Sequence, residues 1–348
     1  MTIYATYFDS GYLARGLACL QSITACSAVA PRLLALALDN ETAGTLRSLR
    51  AELALDSLEI MPLAELEANY PELSQARADR SRVEYYFTLT PFLCAEALKR
   101  TTPGEYAIYV DADLFFYADP AIALAAAEND SVAIVEHRFP PTHGHLAHSY
   151  GRFNVGWNAF TASADAQACL ARWQQQCLAS CQDRPDAQRF ADQKYLDVWP
   201  QEVRSLTIVT HPGVNLAPWN VARHKLSEAD DGKLQVDGKE LVFFHFHNLE
   251  RLAPALYVAD FGDLDRIADL LCRRVYAPYL SRLDSIERSV AGESSLVWGQ
   301  RRQESSVRRK WWIHIAERLL RAVRVFQRRR VIFHHGRALS PWRSLRYA

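Results

Sequence analysis

Up to Met61 the chain switches period four times, and that alternation restricts the fold more than any other feature. Residues 3–8 are a short β-prone run that stops at Asp9-Ser10-Gly11. Residues 12–25 then place Leu13, Leu17, Leu20 and Ile23 at helical spacing. Residues 32–38 are a second apolar run closed by Asp39-Asn40, 41–53 read as a helix, and 58–61 as a third strand. Strands and helices that alternate across short turns build a doubly wound α/β sheet, with parallel strands and right-handed crossovers. A helix over 82–99 precedes the strongest strand, 106–110, which ends at Asp111-Ala112-Asp113. Strands at 132–135 and 158–161, helices from Asp119-Pro120 and over 164–180, a strand then a Pro/Gly-rich loop over 203–218, and a β run at 240–246 complete the expectation.

Four segments carry chemistry. Asp111 and Asp113 stand two residues apart at the C-terminal end of a buried strand, where open α/β sheets bind ligands. Their oxygen donors suit Mg²⁺ or Mn²⁺ bridging a diphosphate. In Arg152-Phe153-Asn154-Val155-Gly156-Trp157-Asn158, Asn154 offers donors and an acceptor for sugar hydroxyls, and Gly156 lets backbone approach closely. A plain turn between strands explains the same residues. Asp192-Gln193 could face a reacting carbon or, through Asp192, cap a helix. In Phe243-Phe244-His245-Phe246-His247, alternation puts both histidines on one side of a strand, so either could complete a metal site.

Taken in order, these motifs resemble family 8 type glycosyltransferases. The resembling series is Ala5-Thr6, Asp9, Tyr12, then 109–113, Phe153-Asn154-Val155-Gly156, Asp192-Gln193 and His245-Phe246. Gly151 to Trp157, Asp192 to Leu196 and His211 to Asn220 are similar to bacterial nucleotide-diphospho-sugar transferases over roughly residues 2–251. The resemblance implies a GT-A type doubly wound mixed sheet, Rossmann-like, over 1–260. It implies a nucleotide-sugar donor, Mn²⁺ or Mg²⁺ on Asp111, Asp113 and His245, and a retaining mechanism. Ala5, Thr6, Asp9 and Tyr12 would serve the nucleoside, and Asn154, Gly156, Asp192 and Gln193 the sugar. Asp192 and Gln193 are the catalytic candidates. Two departures stand out. Asn248 occupies the place of a glycine three residues past the histidine, and the arginine of the helix before the aspartate strand has only Arg82 as a nearby candidate. Rival readings are a non-catalytic nucleotide-sugar-binding protein at a membrane and a nucleotidyltransferase. The second usually opens with a Gly-rich phosphate loop, whereas residues 7–16 hold only Gly11 and Gly16.

Lys and Arg total 40, as do Asp and Glu, but the balance is local. Residues 300–348 hold 14 basic and two acidic side chains, leaving 26 basic and 38 acidic in the rest, so a body of net −12 carries a tail of net +12. A helical extension over 261–299 and a basic amphipathic tail over 300–348 are expected. Trp311, Ile315, Leu319, Val323 and Phe326 share one helical face, with Lys310, His314, Arg318, Arg321, Arg324 and Arg328 largely opposite. Such a helix lies in a membrane interface. Seven scattered cysteines without a Cys-x-x-Cys pair suggest reduced thiols. With no leader pattern and no run of ~18 apolar residues, the expected place is cytoplasmic, peripheral on the inner face of the cytoplasmic membrane. The acceptor would then be a glycan or lipid-linked glycan, and nucleic acid is not expected as a partner. Residues 301–330 should therefore bind anionic vesicles at low salt and release them as salt rises, each basic side chain contributing roughly 1 kcal/mol. Co-sedimentation of the full chain against one ending near Gly299 measures this; equal recovery of the two refutes docking.

Overall fold

The computed structural model describes residues 2–125, 127, 130–186, 188–261, 268–291 and 330–339. Strands β1 (Ile3–Phe8), β2 (Arg32–Ala37), β3 (Leu58–Pro62) and β4 (Tyr106–Val110) form the first half of a seven-stranded sheet. Short β5 (Leu114–Phe116) leaves that sheet. β6 (Val132–Glu136), β7 (Phe153–Thr161) and β8 (Leu206–Val209) complete it in the order β3-β2-β1-β4-β7-β6-β8. This is the doubly wound mixed α/β sheet expected. Strand β1 has β2 on one side and β4 on the other, both parallel to it. The order reverses there, so the ends of β1 and β4 flank the crevice where such sheets take ligands. The expectation of parallel strands fails at β7, which runs antiparallel to both β4 and β6. β7 also starts at Phe153 rather than near Asn158, because Asn154 and Gly156 read as turn residues yet lie within the strand.

Alternation along β4 divides the core. Ile108 and Val110 face one apolar cluster with the Leu13–Cys26 helix, while Ala107 and Tyr109 face another with the helices Arg82–Lys99 and Ala164–Ala179. The Arg82–Lys99 helix begins at a capping box, Ser81 and Glu84 each bonding the other's backbone N–H. Asp39 caps the Asn40–Leu49 helix by accepting from Thr42 N at 2.7 Å, and its other oxygen accepts from Ser10 N at 2.9 Å. One carboxylate thus ties the loop after β1 to the end of β2.

Beyond the main sheet, β9 (Leu226–Glu228), β10 (Leu234–Val236) and β11 (Lys239–Glu240) form a small antiparallel sheet. β12 (Phe243–His245) pairs antiparallel with β5. β13 (Glu250–Ala253), β14 (Leu256–Asp260), β15 (Arg330–His334) and β16 (Arg337–Ala338) form a fourth sheet. The Ala277–Ala291 helix is fastened to it through Glu287, which accepts from Arg251 Nη2 at 2.7 Å and from Tyr257 Oη at 2.9 Å. The amphipathic helix expected over 301–330 lies outside the described residues except for Arg330. That residue opens β15, so a chain ending near Gly299 loses both β15 and β16; exchanging the arginines in place avoids this. Among the described residues no helix is long and apolar enough to cross a membrane. The seven cysteines are free thiols, six of them buried.

Gly16 tests the packing of the first helix on β1. A Cβ there would fall 2.6 Å from Cγ of Phe8, whose ring is buried, whereas one at Gly44 meets nothing within 4 Å. Gly16→Ala should lower unfolding free energy by about 1–3 kcal/mol, and Gly44→Ala in its helix should raise it by up to about 1 kcal/mol. Urea unfolding of both variants checks the pair.

Candidate active site

Asp111 and Asp113 follow directly on β4. Asp111 N donates to Gly156 O at 3.0 Å, which locks the turn against β7. His245 arrives from far along the chain. Register pairs it with Leu114, and Phe246 N donates to Asp113 O at 2.9 Å. On its other side β12 is held by His245 N donating to Leu216 O at 2.8 Å. The imidazole Nε2 therefore stands 3.1 Å from Asp113 Oδ1 and 3.7 Å from Asp111 Oδ2. Ligand atoms of the three side chains lie within 4.8 Å of one another, a grouping that could hold a metal ion. His247, the competing choice, lies past the strand with its ring 6.1 Å from that of His245. Two carboxylates and an imidazole are a donor set for a hard or borderline divalent cation.

Charge is arranged accordingly. Burial alone would push the His245 pKa down, but Asp113 and Asp111 outweigh it and push it up. Burial would raise Asp113, yet His245 holds it well below the ordinary carboxylate range. Asp111 ends above that range, because burial and Asp113 outweigh His245 and the 2.8 Å bond from Tyr109 Oη. The two carboxylates favour the charged imidazole, so a cation bound by the same three groups would compete with a proton for that nitrogen.

Gly156 is required here by space. A Cβ would lie 2.8 Å from Asn154 Oδ1 and 2.9 Å from both Asp111 Oδ2 and His245 Cε1. Between β6 and β7 the register slips from Ile134 opposite Asn158 to Val135 opposite Asn154, a bulge that frees residues 155–157 from β6. Asn154 Nδ2 donates to Gln193 Oε1 at 3.0 Å and lies 3.3 Å from His137 Nε2, while Gln193 Nε2 donates to Tyr150 O at 2.8 Å. Asp192 does not cap the turn that follows it. It is buried, and Oδ2 has no partner; Thr6 Oγ1, Asn154 Oδ1 and His245 Nδ1 are likewise unpartnered. Buried polar atoms are costly to leave unpaired, so such a set points to a polar ligand.

The nucleoside-side candidates gather at the end of β1. Ala5 and Thr6 are fully buried within that strand. Asp9 accepts from Tyr86 Oη at 3.4 Å and pairs at 3.9 Å with Arg82, whose side chain is largely exposed. Tyr12 lies under Arg15, whose guanidinium carbon is 4.7 Å from the ring centre and whose Nη2 donates to Leu249 O. Asn248 has φ +59°, the left-handed region, which accounts for asparagine in a glycine's place. Sequence reasoning missed His137, Tyr109 and Trp219 as site residues. Trp219 stands edge-on to His245 at 5.0 Å and donates Nε1–H to His137 O. A histidine at the end of strand β6 was the available signal for the first.

No protein-family model matches the chain. It is 30% identical over 249 residues to the uncharacterized protein YfnF of Bacillus subtilis (strain 168), covering 70% of this chain and 80% of that one. It is 31% identical over 182 residues to YfnD of the same organism, covering 52% of this chain and 58% of that protein. The chain therefore belongs to the family of YfnF, and it spans little more than half of YfnD. Similar solved structures include the galactosyltransferase LgtC in complex with donor and acceptor sugar analogs (13% identity, TM-score 0.48, 82% of this chain and 96% of that one). Mouse xyloside xylosyltransferase 1 is another (13%, 0.45, 71% and 98%), as is the bifunctional glycosyltransferase WbbM (14%, 0.45, 71% and 46%).

Burial raises the Asp192 pKa to about 7, Asp111 adding to the rise against a hydrogen bond to Thr90. In the unfolded chain this carboxyl titrates near 3.8. Between about pH 4 and pH 7 the folded protein keeps a proton that the unfolded chain releases, so stability falls as pH rises across that window. Asp192→Asn removes the titration. Its stability relative to wild type should improve from pH 4 to above pH 7 by a few kcal/mol, at about 1.4 kcal/mol per pKa unit. Urea unfolding at the two pH values measures it; a constant difference would refute the buried, neutral carboxyl.

Proposed function

We propose that the protein is a metal-dependent glycosyltransferase of GT-A type that moves a sugar from a UDP-sugar to a glycan or lipid-linked acceptor. One observation carries the reading. Asp111, Asp113 and His245 converge at the ligand-binding edge of the sheet, beside buried polar atoms that lack partners.

Breaking the bond between an anomeric carbon and a diphosphate puts negative charge on the leaving group. Asp111, Asp113 and His245 would hold Mn²⁺ or Mg²⁺, which would supply positive charge to offset it. The chain's own residues do the rest. Asp9, supported by Tyr86 and Arg82, stands where the nucleoside enters, with Tyr12 beside it and Ala5 and Thr6 behind. Gly156 leaves the volume in which Asp111 and His245 meet. Asn154 and Asp192 present unpartnered oxygens to sugar hydroxyls. Asp192, whose pKa burial raises to about 7, is divided between protonated and ionised forms near neutral pH and can donate or accept there, and it is the carboxyl nearest in character to one that stabilises an oxocarbenium-like transition state. We place the reaction among the retaining ones, on the resemblance of the motif order. A basic segment over 301–330 would hold the enzyme near a membrane-borne acceptor.

The test is release of UDP from UDP-glucose, UDP-galactose and their N-acetylamino counterparts, with and without Mn²⁺. Asp113→Asn and EDTA should each lower turnover at least roughly a hundredfold while leaving the unfolding transition in place. Full turnover in EDTA overturns the metal. Absence of both binding and turnover for every donor, with the fold intact, overturns the transferase.

A further inference from the structure

The amides of Asn154 and Gln193 can be oriented without choice, because backbone groups fix them. Val155 N–H is a donor and lies 3.3 Å from one end of Gln193; Tyr150 C=O is an acceptor and lies 2.8 Å from the other. The first end is therefore Oε1 and the second Nε2. The Asn154 atom 3.0 Å from Gln193 Oε1 must then be Nδ2. Its second hydrogen points at His137 Nε2, 3.3 Å away, which can accept only if the ring proton sits on Nδ1. Gly151 C=O, 3.1 Å from Nδ1, holds it there. Burial keeps the ring neutral by pushing its pKa down to about 3, against the bond to Gly151.

The Asn154 amide thereby has no donor left to give. Both N–H bonds of Asn154 are taken, and Gln193 is engaged at both ends. What remains is Asn154 Oδ1, buried, without a partner, and facing the space above Gly156 that it shares with Asp111 and His245. This oxygen can only accept.

We propose that His137 is a positioning residue that turns the acceptor end of Asn154 toward a hydroxyl of the donor sugar, and that Gln193 acts through the same network rather than on the reacting carbon. The assignment of a sugar hydroxyl rests on the glycosyltransferase reading. The orientation of the network does not. A site built to receive one O–H discriminates strongly against an analogue lacking it, since the buried oxygen is then left unpaired.

Two measurements decide this. Long-range ¹H–¹⁵N correlation of the imidazoles, with His137 assigned by its loss in His137→Gln, should show the neutral Nδ1–H form throughout about pH 5.5–8, far above the ring's own titration. An Nε2–H form or a protonated ring overturns the network whether or not any donor is turned over. In UDP release, His137→Leu should lower kcat roughly tenfold or more with KM changed less than about threefold, while His137→Gln, which can still donate to Gly151 and accept from Asn154, stays within about threefold of wild type. In an Asn154→Ala background, His137→Leu and Gln193→Ala should each change kcat less than about twofold. Additive losses there would give Gln193 or His137 a direct role and overturn the proposal; Gln193→Ala and His137→Gln keep the test open if His137→Leu fails to fold. Mn²⁺ affinity should be unchanged in His137→Leu and in Gln193→Ala, and a roughly tenfold loss would make Asn154 Oδ1 a cation ligand instead of a hydroxyl acceptor. Wild-type protein that turns over no nucleotide sugar removes the transferase reading alone, because the imidazole spectrum still reports the network.

Discussion

Three residues of β12 zipped against three of β5 are the contact on which the site depends. Without that ladder His245 has no reason to lie beside Asp113, from which it is separated by more than a third of the chain. The pairing is short, so it needs support from both sides. Phe243 and Phe244 bury their rings in the larger cluster, with Phe116 and Phe243 centred 5.0 Å apart. On the far side Leu216 closes the ladder through the loop after β8. Apolar burial fixes the strand, and the strand fixes the imidazole to within hydrogen-bonding reach of a carboxylate. A loop carrying the same histidine would have to order itself at its own entropic cost.

The electrostatics follow from that geometry. Asp111 and Asp113 are half-buried beside the buried His245, where charges interact more strongly than in water and isolated ones are costly. His245 pulls the Asp113 pKa down, and the two aspartates push the His245 pKa up against its burial. Gly156 and the bulge in β7 belong to the same solution. Any side chain at that position would push on all three groups around it, and the bulge lets a strand residue turn inward without breaking the pairing with β4.

Much of the frame was legible in the sequence. The spans Arg82–Lys99 and Tyr106–Val110 matched the sequence reading to the residue, the second because an unbroken apolar run is ended by two aspartates. The direction of β7 was not, since Asn154 and Gly156 disguise a strand as a turn and nothing local distinguishes parallel from antiparallel. The two aspartates announce themselves by position. His245 could be chosen over His247 only by resemblance, because alternation treats them alike; the register with Leu114 separates them. His137 stayed hidden for a different reason. Its role lies in hydrogen bonds to Gly151 and Asn154, and such contacts leave no periodic trace. Asn248 could be read as a departure from a glycine, but only its positive φ shows that backbone geometry is what the two residues have in common.

The strand Arg330–His334 changes how the basic part of the chain should be regarded. It pairs with Leu256–Asp260 along five residues, Asp260 facing Arg330. The sequence between them leaves the sheet and returns to it at adjacent positions, so in connectivity it is an insertion with two anchors rather than a free end. Its reach is that of a closed excursion, bounded from both sides whatever form it takes. A partner that gripped residues 300–329 would load β15 from one side and, from the other, the chain that leads back to the Ala277–Ala291 helix. A single proteolytic nick inside that segment would cut the chain yet leave the distal piece attached, held by the ladder to β14 and by the Arg330–Asp260 ion pair at 3.2 Å.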